Sequence, residues 1–160
     1  MVRALAASRR QARERALSLL YEAETKGVTP GEVMADLPLE PAPFASDLVL
    51  GVGDHQGEVD GWIVRFARDW ALERMPALDR ALLRIGVYEL VHRPDVPTGA
   101  VISEAVELAQ RYSTDDSSRF VNGVLAAIAA EVRPGSKPPP LVLPDPDDAE
   151  RHDDREPEHL

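Results

Sequence analysis

The 160-residue chain has no cysteine, only two lysines, 5% aromatic residues and no long apolar run. Without cysteine there is no disulfide framework, no thiolate nucleophile and no thiolate-ligated zinc, and the composition suits a reducing cytoplasm. No stretch approaches the roughly 20 apolar residues that a membrane span needs, and the Arg-bearing start lacks the apolar segment of a signal peptide. A Gly-rich phosphate loop, a Gly-x-Ser-x-Gly elbow and a paired-carboxylate motif are also missing. No segment alternates polar and apolar residues as a half-buried strand does. These absences predict an all-α, non-catalytic, cytoplasmic protein with no cofactor.

The formal net charge is −10, which read alone argues against a nucleic-acid ligand. Its distribution argues otherwise. Residues 1–15 carry Arg3, Arg9, Arg10, Arg13 and Arg15 against the single acid Glu14. Residues 134–160 carry eight acids against three bases, and seven of the 14 prolines. The only apolar cluster there, Leu141 to Leu143, is too small to offset the entropy of ordering a segment. The expected organisation is a disordered basic head over 1–7, a helical domain over 8–132 and a disordered acidic tail over 133–160.

Within the middle segment the apolar spacing is helical. Ser8 with Gln11 reads as a capping box, Ala12, Ala16, Leu19, Leu20 and Ala23 form an apolar arc, and Gly27 reads as a C′ stop. Thr29, Pro30 and Glu32 start a short second helix. Residues 43–67 read as one helix weakened by Gly51, Gly53, Gly57 and Gly61. The segment from Pro76 to His92 is apolar almost all round except for Arg80 and Arg84, which predicts a central, buried helix. Two amphipathic segments follow, Ala100 to Tyr112 and Ser117 to Ala130. The total is six or seven helices.

Arg9, Arg10 and Arg13 load the expected first turn of the first helix, while Glu22 and Glu24 sit near its end. That is the reverse of what the helix dipole favours. Arginines together with free first-turn N–H groups would seat a phosphate; the alternative is a solvated basic terminus. Leu17 and Tyr21 lie on a second face, where they either cover another helix or meet a partner. Glu89 falls on an apolar face, where a carboxylate requires a partner, and a structural ion pair is expected. Asp54, His55 and Glu58 fall within one turn, but no second histidine lies four residues away and His92 stands alone before Pro94. The expectation is a solvated helix face and no metal site.

Taken in order, several stretches resemble the bacterial transcription antitermination factor NusB family. They are Arg9-Arg10-Gln11-Ala12-Arg13 with Leu20-Tyr21, Leu82-Leu83-Arg84-Ile85-Gly86-Val87-Tyr88-Glu89-Leu90, Asp95-Val96-Pro97, Ile102-Ser103-Glu104-Ala105-Val106-Glu107-Leu108-Ala109, and Asp116-Ser117-Ser118-Arg119-Phe120-Val121-Asn122-Gly123-Val124-Leu125. The resemblance implies an all-α fold of two small packed helical subdomains and a role in binding boxA-type single-stranded RNA of ribosomal RNA leaders. It further implies pairing with NusE, the tenth protein of the small ribosomal subunit, within an antitermination complex on RNA polymerase, as a monomer or a homodimer. Carried over by position, Arg9, Arg10, Arg13, Asp116 and Phe120 are RNA-contacting, and Tyr21 and Asp79 face NusE. Two other readings compete with it: a substrate-guiding module like the NusB-like domain of RNA cytosine methyltransferases, and a helical scaffold that binds only protein.

Overall fold

A computed structural model describes residues 2–135. Among these the secondary structure is seven α-helices and one 3₁₀ turn, with no strand. The helices are α1 (Val2–Lys26), α2 (Pro30–Ala35), α3 (Pro43–Asp54), α4 (Gln56–Phe66), α5 (Ala77–His92), α6 (Thr98–Tyr112) and α7 (Asp115–Val132), with the 3₁₀ turn at Leu72–Arg74. No described helix is long and apolar enough to cross a membrane. The expected acidic tail lies, beyond residue 135, outside the described residues.

The local stop and start signals act as the chemistry demands. Gly27 takes φ 68°, and Val28 N–H reaches back to the Ala23 carbonyl at 2.9 Å, closing α1 on a left-handed residue that only glycine adopts without strain. Thr29 caps α2 in a complete capping box: its hydroxyl accepts from Glu32 N–H at 3.1 Å, and the Glu32 carboxylate accepts from Thr29 N–H at 3.0 Å. α7 begins two residues earlier than Ser117, because extended Thr114 caps it by accepting from Ser117 N–H.

Two expectations need correction. Residues 2–7 are helical rather than a disordered head, and Ser8 is an interior residue of α1 instead of its cap. Ala4, Leu5, Ala6 and Ala7 are strong helix formers with no glycine or proline among them, so the helix propagates N-terminally through them. The single helix expected over 43–67 is two, broken at His55, whose backbone sits at φ −112°, ψ 19°. The glycines that weaken this stretch also allow close approach. A Cβ on Gly51 would overlap the Tyr88 ring, and one on Gly53 would press on Pro30.

α5 is the hub. It touches α1, α3, α4, α6 and α7, and Leu82, Leu83, Ile85, Val87 and Leu90 are all buried within it. One continuous apolar core, built mostly from Leu, Ile, Val and Ala, joins the N-terminal group α1–α4 to the C-terminal group α5–α7. The polar stripe on α5 is used as well. Arg80 pairs with Glu24 of α1 and donates to the carbonyls of Leu72 and Met75, and Arg84 forks onto Asp60 of α4 at 2.8 and 3.0 Å. Glu24, misplaced for its own helix dipole, is thereby neutralised by a neighbouring helix. At the other end of α5, the Arg133 guanidinium donates to the carbonyls of Glu89, Leu90, Arg93 and Val96, satisfying acceptors that a helix end leaves open.

The packing at Gly51 and the open space at Gly61 give opposite expectations for the same substitution. Gly51→Ala must displace the Tyr88 ring; overpacking of this kind costs about 1–3 kcal/mol, more than the roughly 1 kcal/mol of helix propensity that alanine restores. Exposed Gly61 has nothing within 4 Å of the added carbon, so Gly61→Ala stabilises by up to about 1 kcal/mol. Urea midpoints moving down for the first variant and up for the second are the expected result.

Candidate nucleic-acid interface

Because α1 starts at Val2, Arg9, Arg10 and Arg13 lie in its interior turns rather than its first. Their backbone N–H groups are committed within the helix, so the predicted phosphate seat of free first-turn donors does not exist at these residues. Whatever they offer an anion comes from side chains. Each of those side chains already has a carboxylate.

Arg13 is the deepest. Its guanidinium forks onto Glu89 of α5, with Nη2–Oε1 at 2.7 Å and Nε within 3.2 Å of both oxygens. The side chains are only 4% and 1% exposed. The partner required for Glu89 is therefore Arg13. Burial pushes the Glu89 carboxyl up from its ordinary range, against the pull of the Arg13 hydrogen bonds and charge. Arginine does not give up its proton in a protein, so a neutral Glu89 would strand a cation in the core; the pair stands as cation and anion. Arg13, expected from the resemblance to contact RNA, is closed over by the core and joins α1 to α5.

Arg10 and Arg9 remain at the surface. Arg10 lies on Glu104 of α6, with Nε–Oε2 and Nη2–Oε1 both at 3.1 Å, and its side chain is 47% exposed. Arg9 reaches Asp95 at 3.4 Å and lies over the Phe44 ring at 5.1 Å. Phe44, near the start of α3, also receives Arg13 at 5.3 Å and Arg93 at 4.9 Å, so one half-buried ring is faced by three guanidinium groups. Arg93 bridges Asp47 at 2.8 Å and Asp95 at 3.0 Å. Its hydrogen bonds hold the Asp95 carboxyl down at about 2, so Asp95 stays an anion beside Arg9 at any physiological pH. Phe44, Arg93 and Glu104 were invisible as site residues in the sequence, because each acquires its place only through contacts between helices.

The remaining expected residues separate. Asp79, in the first turn of α5, is fully buried and accepts from the hydroxyls of Ser113 at 2.8 Å and Ser117 at 2.7 Å. It ties the α6–α7 connection and the start of α7 to α5, and its side chain is enclosed by the fold, whereas the family resemblance places Asp79 at a partner-facing surface. Tyr21 is 44% exposed and borders a groove of about 540 Å³ with Gln11, Glu14, Leu17, Leu78 and Tyr112. Leu17, on the same stripe, is buried. The stripe therefore divides by exposure, Leu17 being buried and Tyr21 half exposed. Asp116 is exposed in the first turn of α7, and Phe120, one turn on, packs edge-on against Trp70 with ring centroids 4.9 Å apart. Phe120 lines a second groove with Phe66, Arg68, Trp70 and Arg119.

Among the described residues, no hydrogen bond or ion pair joins the Arg9–Arg10 surface to the Phe120 groove. The first is tied to the C-terminal half of α5 through Arg13–Glu89, the second to its N-terminal end through Asp79–Ser117. About 15 Å of helix rise separates Asp79 from Glu89. The molecule thus presents two stations, one of solvent-facing guanidinium groups and one of aromatic and guanidinium groups. Such a pair suits an extended, phosphate-bearing chain with exposed bases.

Fold and surface together define an all-helical protein with two guanidinium-bearing surface stations. The comparisons give it a family: residues 10–130 match the model of the NusB family, to which the chain belongs. It is 48% identical over 127 residues, 77% of this chain and 93% of the relative, to the transcription antitermination protein NusB of Kineococcus radiotolerans. Its structure superposes on NusB of T. maritima with a TM-score of 0.69 at 31% identity, covering 77% of this chain and 91% of that one. A NusB crystallised as the antitermination factors NusB and NusE in complex with double-stranded RNA matches with a TM-score of 0.67 at 30% identity, over 78% and 98% of the two chains.

The buried pair carries a direct stability test. Arg13→Ala or Glu89→Ala leaves an uncompensated charge in the core, and each is expected to cost about 3–5 kcal/mol. In a double-mutant cycle the losses should be strongly non-additive, the double variant being less destabilised than the sum. Additive losses measured by urea unfolding would mean the two side chains do not act as a pair.

Proposed function

We propose that the chain acts as a transcription antitermination factor: with NusE it binds a boxA-type element of a ribosomal RNA leader transcript in the cytoplasm and recruits it to RNA polymerase. It performs no chemistry on the RNA. The observation that carries this reading is the family match across nearly the whole helical domain, residues 10–130. The guanidinium and aromatic stations found on the surface supply the physical means.

In this reading Arg10 is the principal phosphate ligand. Its guanidinium is half exposed beside a largely covered Glu104, with Glu107 as a second carboxylate at 3.8 Å, and ion pairs at such a surface contribute little. A phosphate oxygen therefore replaces the carboxylate at little cost. Arg9 makes the same exchange against Asp95. Phe120 offers its free face to a base, a stack worth about 1–3 kcal/mol, and Arg119 and Arg68 flank it. Asp116 cannot neutralise phosphate; it accepts from a base edge or a 2′-hydroxyl, which marks RNA against DNA. Tyr21 and its groove form the face for NusE, where a half-exposed tyrosine offers both apolar area and a hydroxyl. With so few free cations on an acidic chain, RNA affinity is weak alone and rises when NusE completes the surface.

Titration with a boxA-type RNA, with and without NusE, at several salt concentrations tests this. Arg10→Ala should lower affinity and flatten the slope of log affinity against log salt by about 0.7. Unchanged affinity and slope would reduce Arg10 to a solvated surface charge. An RNA affinity in the native chain that NusE does not raise would contradict the shared-surface reading.

A further inference from the structure

His92 does not stand alone before Pro94, as its sequence neighbourhood suggests. The fold lays it against the break between α3 and α4. One ligand atom each from His55, Glu58 and His92 lie within 4.8 Å of one another. His92 Nε2 is 3.1 Å from Glu58 Oε1, and His55 Nδ1 is 4.0 Å from Glu58 Oε2. We infer that His55, Glu58 and His92 form a surface binding site for a first-row transition-metal ion, with zinc the best match.

Three features support a site over a chance meeting of polar groups. The donor set, two imidazoles and a carboxylate, is that of three-ligand zinc centres that keep a fourth position for water. Bonds of about 2.0–2.2 Å in a tetrahedron place ligand atoms about 3.4 Å apart, so the three atoms, which lie within 4.8 Å of one another, close onto an ion by side-chain rotation. The side chains are 42%, 45% and 27% exposed for His55, Glu58 and His92, so an ion can enter and solvent can complete its shell.

The scaffold holds all three donors in place without the ion. His55 occupies the helix break itself, its N–H bonded to the Gly51 carbonyl and its carbonyl accepting from Val59 N–H. Glu58 follows one turn into α4. His92 is the last residue of α5, and its ring stacks on His55 with centroids 4.0 Å apart and on Tyr88 at 5.3 Å. Tyr88 is itself anchored, its hydroxyl donating to Asp47 at 2.8 Å. Stacking keeps the two imidazoles beside each other, and an ion held by both ring nitrogens turns them apart, since imidazoles on one tetrahedral zinc have centroids about 5 Å apart. A bound ion would staple the α3–α4 break to the end of α5. Imidazole and carboxylate ligands favour zinc, nickel and copper and leave magnesium without advantage.

The test is calorimetric titration of the full chain with zinc chloride and, separately, magnesium chloride, paired with thermal unfolding in zinc and in chelator. Native chain should bind one zinc at this site and unfold at higher temperature in zinc than in chelator, with no response to magnesium. His92→Gln and His55→Gln should each weaken zinc binding by about tenfold or more and remove the thermal shift. Should either unfold, Glu58→Gln, at an exposed position, must show the same weakening. His152→Gln with His159→Gln, which removes the other two histidines, must leave binding intact. Equal zinc affinity in native and Glu58→Gln chains, or binding lost with the tail histidines, overturns the assignment.

Discussion

Two charges lie out of water where α1 crosses α5. Arg13 and Glu89 are held together by three contacts of 2.7–3.2 Å. Neither has another way to exist there, since a lone buried charge costs several kcal/mol. This pair sets the rotation of α1 about its own axis. With Arg13 pinned inward, Ala12, Ala16, Leu19, Leu20 and Ala23 all fall on the core, and Arg10 is turned outward onto α6. An apolar pair of similar volume would bind the helices as well or better.

Once α1 is fixed, its surface charges have assigned partners. Arg9 meets Asp95, Arg10 meets Glu104, and Glu14 meets Tyr112 and Arg111. Arg9, Arg10 and Arg13, which stand out in the sequence as a basic row, are each matched by a carboxylate in the folded chain. In the function we propose, a protein of net charge −10 meets a polyanion by exchanging one anion for another at guanidinium groups already positioned, and loosely paired surface carboxylates are the ones that exchange. Arg13, whose carboxylate is buried with it, takes no part.

The helices were legible in the sequence because their signals are local: the Thr29–Glu32 box, Gly27 after α1, and the apolar girth of α5. The family resemblance was legible too, carried by strings such as Phe120-Val121-Asn122-Gly123. What was not legible is which side of a boundary a residue falls on. Arg13 and Arg10 look alike in sequence, three residues apart, yet one is core and the other surface. Asp79 looked like a surface acid but is enclosed by two serine hydroxyls from the α6–α7 connection. His92 meets His55 from 37 positions away. Each of these depends on how α5 meets its neighbours, and pairings between distant segments leave no periodic trace.

In the proposed function Arg13 holds the fold while Arg9 and Arg10 face the RNA. The most direct measurement replaces the buried pair by apolar residues, Arg13→Met with Glu89→Leu, and compares the salt dependence of boxA-type RNA binding with that of the native chain in the presence of NusE. The expected result is a folded variant whose slope of log affinity against log salt is unchanged. A slope shallower by about 0.7, the signature of one lost phosphate contact, would show that Arg13 touches the RNA and would contradict it.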